Sequence, residues 1–351
     1  FFFITMALRR TVVSRVPQHQ VDAFAAGRYQ GNPAAVVLLP PRPTWPVDSV
    51  LQAIAVENNL SETAYVLSPD QGGAQPWRLR WFTPGGEVDL CGHATLATAH
   101  VVFTKCPSMA AANDITFETK SGLLFVARSA TQVVESHEEE LPRSYCMTFP
   151  AVASEEDVPA EVVQEAKDVF GALGSDQVVR AFRGCCSEPD LMLEFKDWRA
   201  VAEAKPDIAR CEKLLVGGNF RGLIITAWVG GSSSSSSDGE EGEGRGVDFV
   251  SRFFAPNLGI EEDPATGSAH CALSVYWAKE RAGAGSKLED TDTPNTHLVH
   301  LRAKQLSKRV GNVLCDLETD AKGKLVCKLT GQCVDFMDGI IFMEEPDLTI
   351  P

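Results

Sequence analysis

Residues 259–270 read Gly-Ile-Glu-Glu-Asp-Pro-Ala-Thr-Gly-Ser-Ala-His and run straight into the apolar segment Cys271 to Trp277. Three acids, a proline and then small residues ahead of a hydrophobic run mark a loop that delivers a helix N-terminus. Pro264 suits the entry, and Thr266 and Ser268 are side chains suited to capping first-turn amides. Nothing bulky covers the amides of Gly267 and Ser268, so an anion can sit there on the positive end of the helix dipole. The pattern recurs at 87–100, Glu-Val-Asp-Leu-Cys-Gly-His-Ala-Thr-Leu-Ala-Thr-Ala-His. With Glu87 set on Glu261, Asp89 falls on Asp263, Cys91 on Ala265 and His93 on Gly267. A repeat separated by half a chain implies two similar halves rather than a solenoid, whose periods are much shorter. If the halves face each other, both helix starts line one cleft.

A chain of 351 residues has room for two such halves, and 44% hydrophobic with 23% charged residues is an ordinary globular balance. A net charge of -15 argues against nucleic-acid and anionic-membrane partners, which call for a basic face. Ten cysteines without CxxC pairs fit reduced thiols in a cytoplasmic protein better than a secreted disulfide framework or a structural zinc site. No metal is therefore expected. No run approaches the roughly 20 apolar residues of a membrane span. Residues 1–16 read as an extension or remnant; Arg9, Arg10 and Arg15 give them a faint likeness to an organelle-targeting segment.

Along the chain, alternation and turn residues predict strands at Val21 to Phe24, Ala34 to Leu39 and Arg78 to Phe82, with a helix from Val47 to Glu57. Glu62 sits where a turn enters the next strand. Ser121-Gly122 closes a hairpin between Ile115 to Thr119 and Leu123 to Arg128. The polar stretch Thr131 to Pro142 is expected to cross between halves. The second half offers helices at Pro159 to Phe170 and Lys205 to Leu215, and strands at Leu223 to Val229 and Val247 to Phe254. Residues 230–246, with six consecutive serines and alternating Gly and Glu, have nothing apolar to bury and are expected to be a disordered insertion. Short strands are expected at Leu298 to Ala303, Val313 to Leu317, Lys324 to Leu329 and Gly339 to Met343. Each half thus holds many strands and one strongly apolar helix, which suits a sheet curled round a helix better than a regularly alternating doubly wound fold.

With these residues in view, the chain resembles the phenazine-biosynthesis-like (PhzF-like) isomerase family, of the diaminopimelate epimerase-like fold. The resemblance rests on Val21-Asp22-Ala23-Phe24, Gly31-Asn32-Pro33-Ala34-Ala35-Val36-Val37, Asn59-Leu60-Ser61-Glu62-Thr63-Ala64, Arg80-Trp81-Phe82-Thr83-Pro84, Cys91-Gly92-His93-Ala94-Thr95-Leu96-Ala97 and the motif ending at His270. It implies an α+β fold of two similar domains, each a mixed β-sheet or barrel wrapped around a central α-helix, with the active site between them. The expected halves are 17–130, completed by the C-terminal strand at 335–351, and 143–334. By resemblance the catalytic residues are Glu62, His93 and Asp263, and the substrate-binding residues Ser268, Gly92, Gly267 and Asn32. The resemblance implies a homodimer, a small anionic metabolite as substrate, and no metal or organic cofactor. Epimerases of the wider fold oppose two thiols; here Cys91 holds the first place and Ala265 the second.

The implied reaction moves a proton between carbons. A single carboxylate can take and return that proton when both carbons lie on one face, and such a base works best with a pKa near the working pH. Glu62 is the candidate, with Asp263 supplying like-charge repulsion or orienting His93. His93, at a helix start, is expected to be a neutral imidazole. Ser268 and the helix amides would hold a substrate carboxylate and the charge that develops on it. The competing expectations are a thiol-dependent epimerase or racemase and a non-catalytic binding protein on the same fold.

Overall fold

A computed structural model of the chain describes residues 11–69, 76–131, 143–151, 154–185, 189–230, 246–282, 294 and 296–346. The expected crossing at 131–142 and insertion at 230–246 lie almost wholly outside these residues, as do residues 1–10. The first half contains β1 (Thr11–Ala23), β2 (Asn32–Leu39), α1 (Asp48–Asn58), β3 (Glu62–Leu67), β4 (Trp77–Thr83), β5 (Gly86–Val88), α2 (Gly92–Lys105), β6 (Asp114–Thr119) and β7 (Gly122–Ser129). Then follow β8 (Arg143–Pro150), β9 (Ser154–Asp157), α3 (Ala160–Val169), α4 (Ala172–Gln177), β10 (Val178–Cys185), β11 (Pro189–Phe195), α5 (Trp198–Glu203), α6 (Ile208–Gly218), β12 (Leu223–Trp228) and β13 (Phe249–Ala255). The chain closes with β14 (Ile260–Asp263), α7 (Gly267–Ala282), β15 (His297–Gln305), β16 (Gly311–Thr319) and β17 (Leu325–Pro346).

Both copies of the repeated motif fold as a short strand leading into a helix, β5 into α2 and β14 into α7. Those helices are apolar on every side, and that dictates their place, since a helix without a polar face must be enclosed. In α2 every residue from His93 to Phe103 is buried. Its threonines satisfy themselves inside the core by bonding back one turn, Thr95 to the Cys91 carbonyl and Thr98 to that of Ala94. His100 is held between the Tyr145 hydroxyl and Asp335, each at 3.1 Å. Helix α7 packs Leu273, Tyr276 and Trp277 into the same apolar core. A second core lies beneath α3, α5 and α6, and a third under α1 around Leu51 and Tyr65.

Two expectations change at the ends of the chain. The first strand begins at Thr11, not Val21, and its outer part pairs with the C-terminal strand in register Thr11↔Pro346 to Gln20↔Met337. Residues 11–16 are thus part of the sheet rather than an appended remnant. The two strands expected at 324–329 and 339–343 are one continuous strand, β17, which pairs with β16 and β8 near its start and with β1 beyond Gln332. Within that strand Gly331 lies where a Cβ would strike the ring of Phe24 at 2.3 Å, so glycine there permits close packing. Among the described residues no helix is long and apolar enough to cross a membrane.

Candidate active site

Strands β2 and β3 run parallel, with Ala34 opposite Glu62, so the starts of both strands come to one edge of the sheet. Asn32 opens β2 and Glu62 opens β3. The turn before Asn32 is fixed by Gly31, whose φ of +66° and clearance of 2.2 Å from a would-be Cβ to the Ala23 carbonyl exclude any side chain. Arg309 clamps the same turn, donating to the Gly31 carbonyl at 2.9 Å and to Asp22 at 2.8 Å. The start of α2 delivers His93, the end of β14 delivers Asp263, and the start of α7 delivers Ser268.

These residues meet. His93 Nε2 lies 3.0 Å from Glu62 Oε2, yet neither atom has a hydrogen bond of acceptable alignment. Glu62 is therefore not the solvated turn residue its sequence position allows; it is 9% exposed, with one carboxylate oxygen lacking a donor. On the other side of the imidazole, Nδ1 lies 3.2 Å from Asn32 Nδ2 and 3.5 Å from Cys91 Sγ. The Asn32 amide also donates to Asp263 Oδ1 at 2.8 Å and to the Ala265 carbonyl at 3.1 Å, and its oxygen accepts from Ser61. An amide has two hydrogens, and Asp263 and Ala265 take them at the shorter distances. That leaves His93 Nδ1 free to carry its own proton toward the Cys91 sulfur.

The electrostatics agree with a charged imidazole. Burial opposes the charge on His93, but the Glu62 carboxylate 3.0 Å away favours it, and the pKa lies above the usual imidazole value. The helix dipole favours the neutral imidazole, and the adjacent carboxylate pulls the other way, toward the charged form. Burial pushes the Asp263 carboxyl up, against the pull of His93 and with the push of Glu62. Burial also pushes the Cys91 thiol up, and the Glu62 carboxylate adds to it; the helix N-terminus does not make Cys91 a reactive thiolate. The donor atoms of Glu62, Cys91 and His93 lie within 4.8 Å of one another, a donor set of the kind that can also hold a metal ion.

Asp263 does not reach His93 directly; Asn32 stands between them. Asn32 itself is fully buried, with its amide engaged by Asp263 and the Ala265 carbonyl. The Thr266 hydroxyl donates to Asp263 Oδ2, while Gln305 accepts from the Thr266 amide at 2.9 Å and donates to the Asp263 carbonyl at 2.6 Å.

The two helix starts share one cleft. A Cβ built on Gly92 would lie 3.8 Å from the Cα of Gly267, and Met147 and Phe149 wall the same spot. Ser268 Oγ accepts from Arg221 at 2.8 Å. Arg221 is in turn gripped by Asp190 through two parallel bonds of 2.9 and 2.5 Å, with its guanidinium 5.2 Å from the Phe253 ring centre. Sequence reasoning missed Arg221 and Asp190. The available signal was a lone acid in the strand Pro-Asp-Leu-Met-Leu and a lone arginine just before Leu-Ile-Ile-Thr, each a charge where burial is expected.

A large mixed sheet folded around two enclosed helices whose starts face each other is the architecture of the diaminopimelate epimerase-like class of α+β proteins. The family model described as phenazine biosynthesis-like protein matches residues 21–339, and the chain belongs to that family. An uncharacterized isomerase of Pseudomonas aeruginosa is 37% identical over 324 residues, covering 92% of this chain and 98% of the relative. Phenazine biosynthesis-like domain-containing protein 1 of Mus musculus is 34% identical over 343 residues, covering 95% and 99%. Among solved structures, a PhzF-family phenazine biosynthesis protein of Enterococcus faecalis aligns with a TM-score of 0.69 at 34% identity, covering 94% of this chain and all of that one.

Proposed function

We propose that the protein is a cofactor-independent isomerase that moves a proton between carbons of a small carboxylate-bearing metabolite. Isomerase activity in general is what the family and the names of its members support. The finer reading rests on one observation, the Glu62 Oε2 atom, buried and without an aligned donor beside His93. An acceptor kept out of water at the mouth of two helix starts is suited to take a proton from carbon and hold it for return. His93, charged and paired with Glu62, stabilises the carboxylate between turnovers and donates toward negative charge that develops on substrate. The substrate carboxylate sits on the amides near Gly92 and Gly267, with Ser268 fixed beside it by Arg221. A single base working on one face of the substrate also accounts for Ala265 standing where a second thiol would be. Homodimeric assembly in the cytoplasm completes the proposal.

The test is proton exchange at carbon. A panel of small unsaturated and hydroxylated carboxylates, incubated with the protein in D2O and followed by NMR, should include a compound that isomerises and takes up deuterium at the carbon receiving the proton. Glu62→Gln preserves size and hydrogen bonding while removing basicity. It should lower turnover roughly 10²–10⁴-fold with binding retained. Near-normal turnover in that variant would overturn the assignment.

A further inference from the structure

The sheet carries a second cluster of chemically capable side chains, at the end of β15 opposite the one where Gln305 meets Asp263. His297 and His300 are three residues apart on one strand, and strict alternation would send them to opposite faces. The ladder slips between them. His297 stands opposite Glu318, Val299 opposite Leu317 and His300 opposite Asp316, so β15 spends one extra residue there. That bulge returns both imidazoles to the face of Asp316. His297 Nε2 lies 3.1 Å and His300 Nδ1 2.6 Å from the same oxygen, Asp316 Oδ1. One donor atom from each residue falls within 4.8 Å of the other two. The histidines are about half exposed, 52% and 41% at the side chain. The neighbouring carboxylate, Glu318, is bound to Lys328 at 2.5 Å, which leaves three donors with solvent on the open side.

We propose that His297, His300 and Asp316 form a surface site for a divalent ion of the zinc class, with its remaining coordination positions open to solvent. Two imidazole nitrogens and one carboxylate oxygen are a donor set for zinc, copper, nickel or cobalt; calcium and magnesium prefer oxygen alone. A tetrahedral zinc with bonds of 2.0–2.1 Å spaces its ligands about 3.3 Å apart. The two nitrogen–oxygen distances are within about 1 Å of that spacing, and exposed side chains have room for the adjustment. In the absence of the ion, the shared carboxylate oxygen holds the two imidazoles in place, so the ion meets a preformed arrangement. The cluster uses none of the residues of the cleft, and the ion therefore takes no part in the isomerisation proposed above.

The experiment uses full-length, untagged protein stripped of metal and titrated with Zn²⁺ alone against a chromophoric chelator, with Cu²⁺ electron paramagnetic resonance as a second readout. One equivalent should bind in the micromolar range, and the copper spectrum should show coupling to nitrogen. His297→Ala and His300→Ala should each weaken binding roughly tenfold or more, with unchanged circular dichroism because both side chains are exposed. Asp316→Asn should weaken it also. His93→Ala should leave this equivalent in place. Absence of micromolar binding, or binding that survives His297→Ala and His300→Ala and disappears with His93→Ala, would overturn the proposal.

Discussion

Gly92 and Gly267, the first residues of the two enclosed helices, stand face to face, so that a methyl on either would touch the backbone of the other at 3.8–3.9 Å. That separation is ordinary van der Waals contact, so the fold has room for one methyl; a bound carboxylate between the amides and the methyl would compete for the same space. Gly92→Ala and Gly267→Ala are expected to leave the melting temperature unchanged or slightly raised, since alanine suits a helix better than glycine. KM for an anionic substrate, or Kd for a small carboxylate ligand, should rise at least tenfold, about 1.4 kcal/mol. Calorimetry with the variant proteins separates the two effects. Unaltered affinity would place the anion elsewhere.

Cys91→Ser should retain most activity. The thiol is buried, its pKa is raised, and the equivalent place across the cleft is Ala265, so two opposed thiols are unavailable. Steady-state rates and inactivation by an alkylating agent are the checks. A loss on the scale of removing an essential nucleophile would favour the thiol-dependent epimerase instead.

Arg221→Met should destabilise the protein by about 3–5 kcal/mol, because it removes the bidentate partner of the buried Asp190 carboxylate. The double variant Arg221→Met/Asp190→Leu should recover much of that stability while leaving Ser268 without its donor. Denaturant melts of the three proteins test the ion pair. If Ser268 holds substrate, the stable double variant should still show a raised KM.

His270 should make stability fall in mild acid. It is fully buried in α7, and burial lowers its pKa to about 4. In the unfolded chain the imidazole titrates near 6.5, so below that pH the unfolded state binds a proton that the native state refuses. Stability is therefore lost as pH falls from about 6.5 toward 4, by about 2 kcal/mol between pH 7 and pH 5, with no further loss from this group below its folded pKa. Denaturant melts at the two pH values should show a smaller drop for His270→Gln than for the parent. An NMR titration that found the His270 ring protonating near pH 6 would remove the basis for the effect.

The repeated motif made most of the centre legible. The helix starts at 87–100 and 259–270, each opening an apolar helix, follow from the sequence pattern and appear as α2 and α7, while the short strands β5 and β14 stand where the sequence offered only a loop. The convergence of Glu62, His93 and Asp263 was legible only through the family resemblance, because Glu62 and Asp263 lie on strands 200 residues apart in sequence and no local pattern encodes that meeting. The hydrogen-bond partners of Asn32, Thr266 and Arg221 were not legible. Each depends on which acceptor lies within reach of a particular hydrogen, and that is a property of packing. The pull of Glu62 on His93 was not legible for the same reason: the helix start is visible in sequence, but the carboxylate 3.0 Å away is not. At the surface, the extra residue between His297 and Val299 broke the alternation that a period-two reading of the strand relies on.

Strand β17 also sets a condition on how this molecule can be made. Its outer part is the partner of β1, so β1 must wait for on the order of 300 further residues to be made before one of its two edges is covered. During that interval β1 can pair with β2 on the other side, but the edge meant for β17 stays open, with Val12 and Val13 beside it. Long-range pairing of this kind is slow, and an uncovered strand edge invites other chains. Synthesis of this protein thus passes through a stage, ended only when β17 is made, in which an open edge faces its own neighbours on the same message.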